Sequence, residues 1–146
     1  MLSDHFSQDE FTASQTATRQ GIKNTPNEKV VENLRMLAAL LEQVRTLLGS
    51  HSIHISSGFR SLALNRHIKS NDTSAHVRGY AADFTCPAFG KPIEVAKKIA
   101  ESNLKFDQLI CEGNAWVHIS CDPQNRRQLL TARFKDGHTY YTTGIA

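Results

Sequence analysis

Apolar residues recur at three- and four-residue steps through "TPNEKVVENLRMLAALLEQVRTLLGS", residues 25–50. Val30, Val31, Leu34, Leu37, Ala38, Leu41, Val44 and Leu48 fall on one face of a helix at that spacing. Thr25 is placed to cap the helix, Pro26 suits the first helical position, and Glu28 completes a capping box. Gly49 ends it. Two shorter helices are predicted on the same grounds. "SQDEF" carries Ser7 with Glu10 three positions on, and "SLALNRHI" has Ser61 as its cap. "KPIEVAKKIAESN" is a further amphipathic helix, with Ile93, Ala96, Ile99 and Ala100 inward.

The period then changes to two. "SIHISSGFR" alternates and is β-branched, so it predicts a short strand broken by Gly58. "GYAADFTC" predicts a strand starting after Gly79. "FDQLICE", "AWVHIS" and "RRQLLTARF…HTYYTTGI" predict strands with hairpin turns at Gly113-Asn114 and Lys135-Asp136-Gly137. Helices come first and strands cluster later, an order that predicts an α+β fold with helices packed on one face of a small antiparallel sheet. The chain has no internal repeat and no Pro/Gly/Ser-rich linker, so residues 1–146 are expected to form a single domain.

Composition narrows the class. With 40% hydrophobic and 21% charged residues the chain is globular rather than disordered. No apolar run is long enough to cross a bilayer, so no membrane insertion is expected. "MLSDHFSQDE" lacks the basic start and apolar core of a signal peptide, which implies synthesis in a cytoplasm. Net charge +3 mildly favours an anionic partner, but there is no Lys/Arg block or aromatic-basic stripe to suggest nucleic acid. Cys86, Cys111 and Cys121 are odd in number and widely spaced; they fit free thiols behaving as small hydrophobes.

The chemistry concentrates in "SAHVRGYAADF", residues 74–84. His and carboxylate are ready zinc ligands, and a catalytic zinc takes three protein ligands while keeping a fourth position open. His76 and Asp83 lie seven positions apart; Gly79 lets the chain reverse between them. His118, in the middle of "AWVHIS", is the best third ligand, because a strand holds it rigidly. A His donating to an Asp in a satisfied core pair is the competing explanation. Trp116 shares a strand face with His118 and would either wall a cleft or pack in the core. His51, His54, His67 and His138 have no motif partner and are expected at the surface.

"SAHVRGYAADF" resembles the S-x-H-x-x-G-x-A-x-D motif of a zinc peptidase family. That family includes D-Ala-D-Ala carboxypeptidases and dipeptidases, phage L-alanyl-D-glutamate endopeptidases and the hedgehog signalling domain. "SSGFRS" before it and "WVHIS" after it match the family's other two blocks in the right order. The segment "FSQDEFTASQTATRQGIKNTPNEKVVENLRMLAALLEQVR" is similar to the leader of its phage branch. The resemblance implies one zinc ion on His76, Asp83 and His118, in a cleft on the sheet. It implies that Arg60 holds a substrate carbonyl or carboxylate, for which a guanidinium's fixed fork is suited; a surface salt bridge is the alternative. Ser74 matches the motif's Ser, a hydrogen-bonding partner of substrate or ligand, or else a turn cap.

One position departs from the pattern. Many members carry an acidic general base three residues before the last His, and here that residue is Ala115. Glu112 is the nearest acid. If Gly113-Asn114 makes a two-residue turn, Glu112 lies across from Ala115 and takes the base's place. Asp122 is a weaker substitute. The implied activity is cleavage of bacterial peptidoglycan stem peptides, by a monomeric phage endolysin made in the host cytoplasm and acting on the wall once the inner membrane is breached. The alternatives are a D-Ala-D-Ala carboxypeptidase and a non-catalytic, zinc-containing wall-binding module, the latter motivated by Ala115. The His/His/Asp set also accepts other divalent ions.

Overall fold

The computed structural model describes residues 1–146. Its helices are α1 (Gln8–Thr12), α2 (Gln15–Gln20), α3 (Glu28–Leu47), α4 (Leu62–His67) and α5 (Pro92–Ala100). Its strands are β1 (His54–Ser57), β2 (Ala81–Thr85), β3 (Gln108–Glu112), β4 (Trp116–Ser120), β5 (Gln128–Lys135) and β6 (His138–Thr143). The fold is α+β, with one six-stranded sheet in the order β1-β2-β4-β3-β5-β6.

The helix ends follow local chemistry. Ser7 and Glu10 form the reciprocal capping box expected of them, and the Ser61 hydroxyl accepts from the Leu64 amide at the start of α4. α2, which the apolar pattern did not predict, begins where the Ser14 hydroxyl accepts from the Ala17 amide. α3 starts later than Thr25 implies. Asn27 is its cap, accepting from the Val30 amide at 2.9 Å. Asn caps as well as Thr does, and its extended backbone keeps Pro26 outside the helix. At the other end Gly49 adopts φ 83, while the Gly49 and Ser50 amides bond back to the Thr46 and Arg45 carbonyls. That pattern satisfies carbonyls the helix would otherwise leave free.

The sheet is mixed rather than wholly antiparallel. Every neighbouring pair is antiparallel except β3 and β5, which run parallel with Gln108 opposite Gln128. The cause is the connection after β4. It leaves from Ser120, beside Gln108, steps past the start of β3, and enters β5 at the same end of the sheet. A strand reached that way runs against β4 and therefore with β3. The Arg126 guanidinium pins the crossing through a two-pronged contact with Asp107, both at 2.8 Å.

Alternation gives the sheet two unlike faces. Ile55, Ala82, Phe84, Val117, Ile119, Leu109 and Cys111 share the core with Leu34, Leu37, Leu41 and Val44 of α3 and Val95, Ala96 and Ile99 of α5. The intervening residues Asp83, His118, Ile110 and Glu112 belong to the other face. All three cysteines are free, Cys86 and Cys111 buried, and burial pushes the Cys121 thiol up to about 12. No helix is long and apolar enough to cross a membrane.

Candidate metal centre

Two glycines position the first of the clustered side chains. Gly58 follows β1 where the chain passes against α1; a Cβ there would stand 2.6 Å from the Phe11 carbonyl oxygen. Only glycine fits that approach, and it leaves the Gly58 carbonyl free to accept from His76 Nδ1 at 2.7 Å. Gly79 has φ 78 and turns the chain from the His76 loop into β2, held against Val30 of α3. The same loop is tied to α3 by the Asn33 side chain, which donates to the Arg78 carbonyl at 2.8 Å.

Asp83 and His118 come together differently. They are direct cross-strand partners in β2 and β4, and the sheet register sets His118 Nδ1 2.9 Å from Asp83 Oδ1. His76 Nε2 approaches the same oxygen at 3.4 Å. The two imidazole rings stand 5.2 Å apart at 63°. One ligand atom from each of the three residues lies within 4.8 Å of the others.

The donor set suits a cation. His76 spends its Nδ1 proton on the Gly58 carbonyl, so in the neutral ring the Nε2 lone pair faces a carboxylate oxygen. Two acceptors at that distance repel unless a proton or metal ion lies between them. Tetrahedral coordination with bonds of about 2.1 Å sets neighbouring donors about 3.4 Å apart, which the observed 3.4 and 2.9 Å approach. The residues fit a tetrahedral divalent metal with one position left over, and Gly58 supplies the outer carbonyl that fixes a ligating imidazole. His118 Nε2 is buried without a partner. A simple satisfied core pair would not leave two acceptors, His76 Nε2 and Asp83 Oδ1, facing one another.

The electrostatics agree. Burial alone would raise the Asp83 carboxyl; hydrogen bonds from His118 and His76 and their charge outweigh it and hold Asp83 well below the usual carboxylate range. Burial lowers His76, against the pull of Asp83, and keeps it an uncharged ligand. Arg60 is partly desolvated, which lowers its pKa, and the Asp83 charge counteracts this. It forms no ion pair, so the surface salt bridge is not what it makes. Its backbone amide bonds the His76 carbonyl, one terminal nitrogen reaches Ser74 Oγ at 3.5 Å, and its Nε is buried with no partner. Ser74 Oγ also accepts from the His76 amide at 3.3 Å, which caps the loop.

Glu112 reaches this face by a register other than the expected one. It pairs with Trp116, not Ala115, because the hairpin spans three residues: the Ala115 amide bonds the Glu112 carbonyl and Gly113 takes φ 58. The shift is decisive. A turn pairing Glu112 with Ala115 would set Glu112 and His118 on opposite faces of the sheet. The observed pairing, with Ile110 opposite His118, sets them on the same face. Burial raises the Glu112 carboxyl and the nearby Asp83 adds to the rise, with His118 opposing. Asp122 instead accepts from the Gln124 amide in the turn after β4. Trp116 is 38% exposed, so it is not a core residue; it stands on the site face beside Glu112. His51, His54, His67 and His138 are exposed, as expected.

Tyr141 is an addition that no motif announced. Ala132 pairs with Glu112 on one side and Tyr141 on the other, so all three share the site face. Burial and the charges of Glu112 and Asp83 raise the Tyr141 phenol, which keeps it a hydrogen-bond donor. Only the parallel β3–β5 pairing brings it there, and sequence spacing carries no sign of that pairing.

The sequence model of the peptidase M15 family matches residues 4–120, a span that contains every residue of the cluster and ends before β5. No curated protein matches the chain closely enough to inform the reading.

Proposed function

The chain belongs to the peptidase M15 family, and from that premise we propose that it is a zinc-dependent hydrolase of bacterial peptidoglycan stem peptides. The observation that carries the proposal is the convergence of His76 Nε2, Asp83 Oδ1 and His118 Nδ1 on one point, with Glu112 on the same face of the sheet and Arg60 beside the cluster.

His76, Asp83 and His118 would hold one zinc ion, which when bound supplies Lewis-acid activation of water and of the scissile carbonyl. The other steps belong to this chain's own side chains. Glu112 takes the proton of the attacking water at its carboxylate and returns it to the nitrogen of the leaving amine. Its raised pKa suits both halves of that transfer. The guanidinium of Arg60, whose Nε has no partner in the protein, pairs with the substrate oxygen as negative charge grows on it. Ser74 steadies Arg60 and the His76 loop. Trp116 and Tyr141 flank Glu112 and wall the cleft on that side.

Endopeptidase action on the L-alanyl-D-glutamate bond is the form we favour, in a monomeric phage endolysin acting as one domain, made in the host cytoplasm and reaching the wall after membrane breach. What favours it is the likeness of residues 6–45 to the leader of the phage branch; a carboxypeptidase would need a closed end to the cleft. Purified peptidoglycan digested with the protein, followed by mass identification of the new amino terminus, separates the two: a new glutamyl terminus supports the endopeptidase, release of free alanine the carboxypeptidase. Chelation should abolish the clearing of outer-membrane-permeabilised cells, and added zinc should restore it. A protein that binds zinc yet never cleaves would instead be a wall-binding module.

A further inference from the structure

The β5–β6 hairpin lies beyond the span that matches the family. Its two faces differ. On one, the Thr131 hydroxyl donates to the Gly144 carbonyl and accepts from the Ala146 amide, and Arg133 Nε donates to the Thr142 hydroxyl. Side chains there serve the fold. The other face continues the one that carries Asp83, His118 and Glu112, and on it Phe134 is 66% exposed and Tyr141 53%. Large rings left in water beside a cluster of polar groups mark a binding surface.

Register ties these rings to the chemistry. Glu112 pairs with Trp116 on β4 and with Ala132 on β5, and Ala132 pairs with Tyr141 on β6. Phe134 is the next residue of β5 on that face. A Cβ on Gly113 would meet its Cε2 at 3.4 Å, so the ring rests against the β3–β4 turn. Glu112 is thus flanked by three rings, with the small Ala132 alone between it and the phenol. Burial and the charges of Glu112 and Asp83 keep that phenol protonated, a donor. Arg60 follows β1, at the opposite edge of the sheet.

The reaction fixes which part of a substrate comes here. Arg60 and the metal ligands take the scissile carbonyl, on the β1 side of Glu112. The group that returns a proton to the leaving amine must lie beside that amine, so the departing chain continues past Glu112 toward the hairpin. Tyr141 stands two strand spacings from Glu112, about 9.6 Å. An extended peptide covers about 3.3–3.6 Å per residue, so its second or third departing residue arrives over Tyr141. We propose that the hairpin is the subsite for the departing part of the substrate, with the Tyr141 hydroxyl donating to a backbone carbonyl of that second or third residue and with Trp116 and Phe134 packing on the chain before it. The proposal rests on the peptidase reading above and adds two specificity residues, Phe134 and Tyr141.

The test compares two peptides on the full zinc-loaded chain: alanyl-glutamyl-lysyl-alanine, which extends over the hairpin, and alanyl-glutamate, which stops short of it. Binding is read apart from cleavage by titrating the metal-free chain and following the fluorescence of Trp116, its one tryptophan. Tyr141→Phe removes the hydroxyl alone. It should weaken the tetrapeptide about two- to tenfold, in KM and in the titration, the range of one net hydrogen bond. The tetrapeptide's kcat and both constants of the dipeptide should stay unchanged. Phe134→Ala should also weaken the tetrapeptide alone, and Lys97→Ala on α5, away from the hairpin, should alter neither. Equal losses for both peptides, a loss confined to kcat, or no loss overturns the subsite even where wild-type protein cleaves peptidoglycan. If the wild type cleaves the wall but cuts neither peptide, the titration decides by the same comparison, and binding the two equally or not at all overturns the subsite alone. A wild-type chain that neither binds these peptides nor cleaves the wall sinks the peptidase reading, and this one with it.

Discussion

Ala82, Phe84, Val117 and Ile119 point to one face of β2 and β4 and are fully buried against α3 and α5. Asp83 and His118, between them in the chain, point to the other face and turn polar atoms toward one another at 2.9 Å. The backbone and its hydrogen bonds are common to both sets. On the first face burial is favourable by itself, at about 25 cal/mol per Å² of apolar surface. On the second it is costly: Asp83 needs two imidazoles to remain ionised, and Glu112 has its pKa raised. The strands are thus stabilised from one side and carry the clustered polar groups on the other.

Substitutions on either face test that division. His118→Ala should act on function alone, lowering cleavage by about three orders of magnitude or more by removing a metal ligand and abolishing the heat of zinc binding. The melting temperature of the metal-free protein should stay near that of wild type. If His118→Ala unfolds the protein as readily as a core truncation does, the separation of the two faces is wrong.

Glu112→Gln should lower kcat about 10²- to 10⁴-fold without weakening zinc binding. Because burial raises the folded-state pKa of Glu112, its contribution to stability is fully present below the unfolded pKa and is lost as pH rises through the folded value. At neutral pH the Gln variant should therefore melt no lower than wild type. With Glu112 as the proposed base, the same shift should set the acid limb of the rate profile above the ordinary glutamate range. Full activity in the variant would remove Glu112 from the mechanism and leave the metal cluster standing.

Phe84→Ala is the counterpart on the core face. It should cost about 3–5 kcal/mol of stability, read from denaturant midpoints, with kcat per folded molecule close to wild type. Asn27→Ala should cost about 1 kcal/mol by removing the cap of α3. The smallest effect is expected at Trp116→Ala: stability within about 0.5 kcal/mol but a raised KM, because the ring is exposed on the site face. A large loss of stability there would return Trp116 to the core.

Much of this was legible without coordinates. Leu34, Leu37, Leu41 and Val44 declare α3 by period alone, and all four are in the core. The motif around His76 and Asp83, with "WVHIS" after it, names the three residues that the fold gathers. The hairpin register was not legible. Gly113-Asn114 is a sound two-residue turn signal, yet the loop closes over three residues, and that one-residue difference decides which face Glu112 occupies. Sequence rules rank turns by local preference; here the choice also settles whether Cys111 or Glu112 faces the core, and burying the thiol is the cheaper outcome.

The chain's own residues announce most of the elements and the chemical types: an apolar period for α3, α5 and the strands, two imidazoles and a carboxylate suited to a metal, an arginine and a glutamate as candidate partners. These are local properties, carried by a residue and its near neighbours. The tertiary structure decided the parallel entry of β5, the arrival of Tyr141 beside Glu112, and the placing of Phe134 against the β3–β4 turn. Each depends on strands and helices from distant parts of the chain packing together, and pairing energies between remote segments leave no periodic trace in either partner.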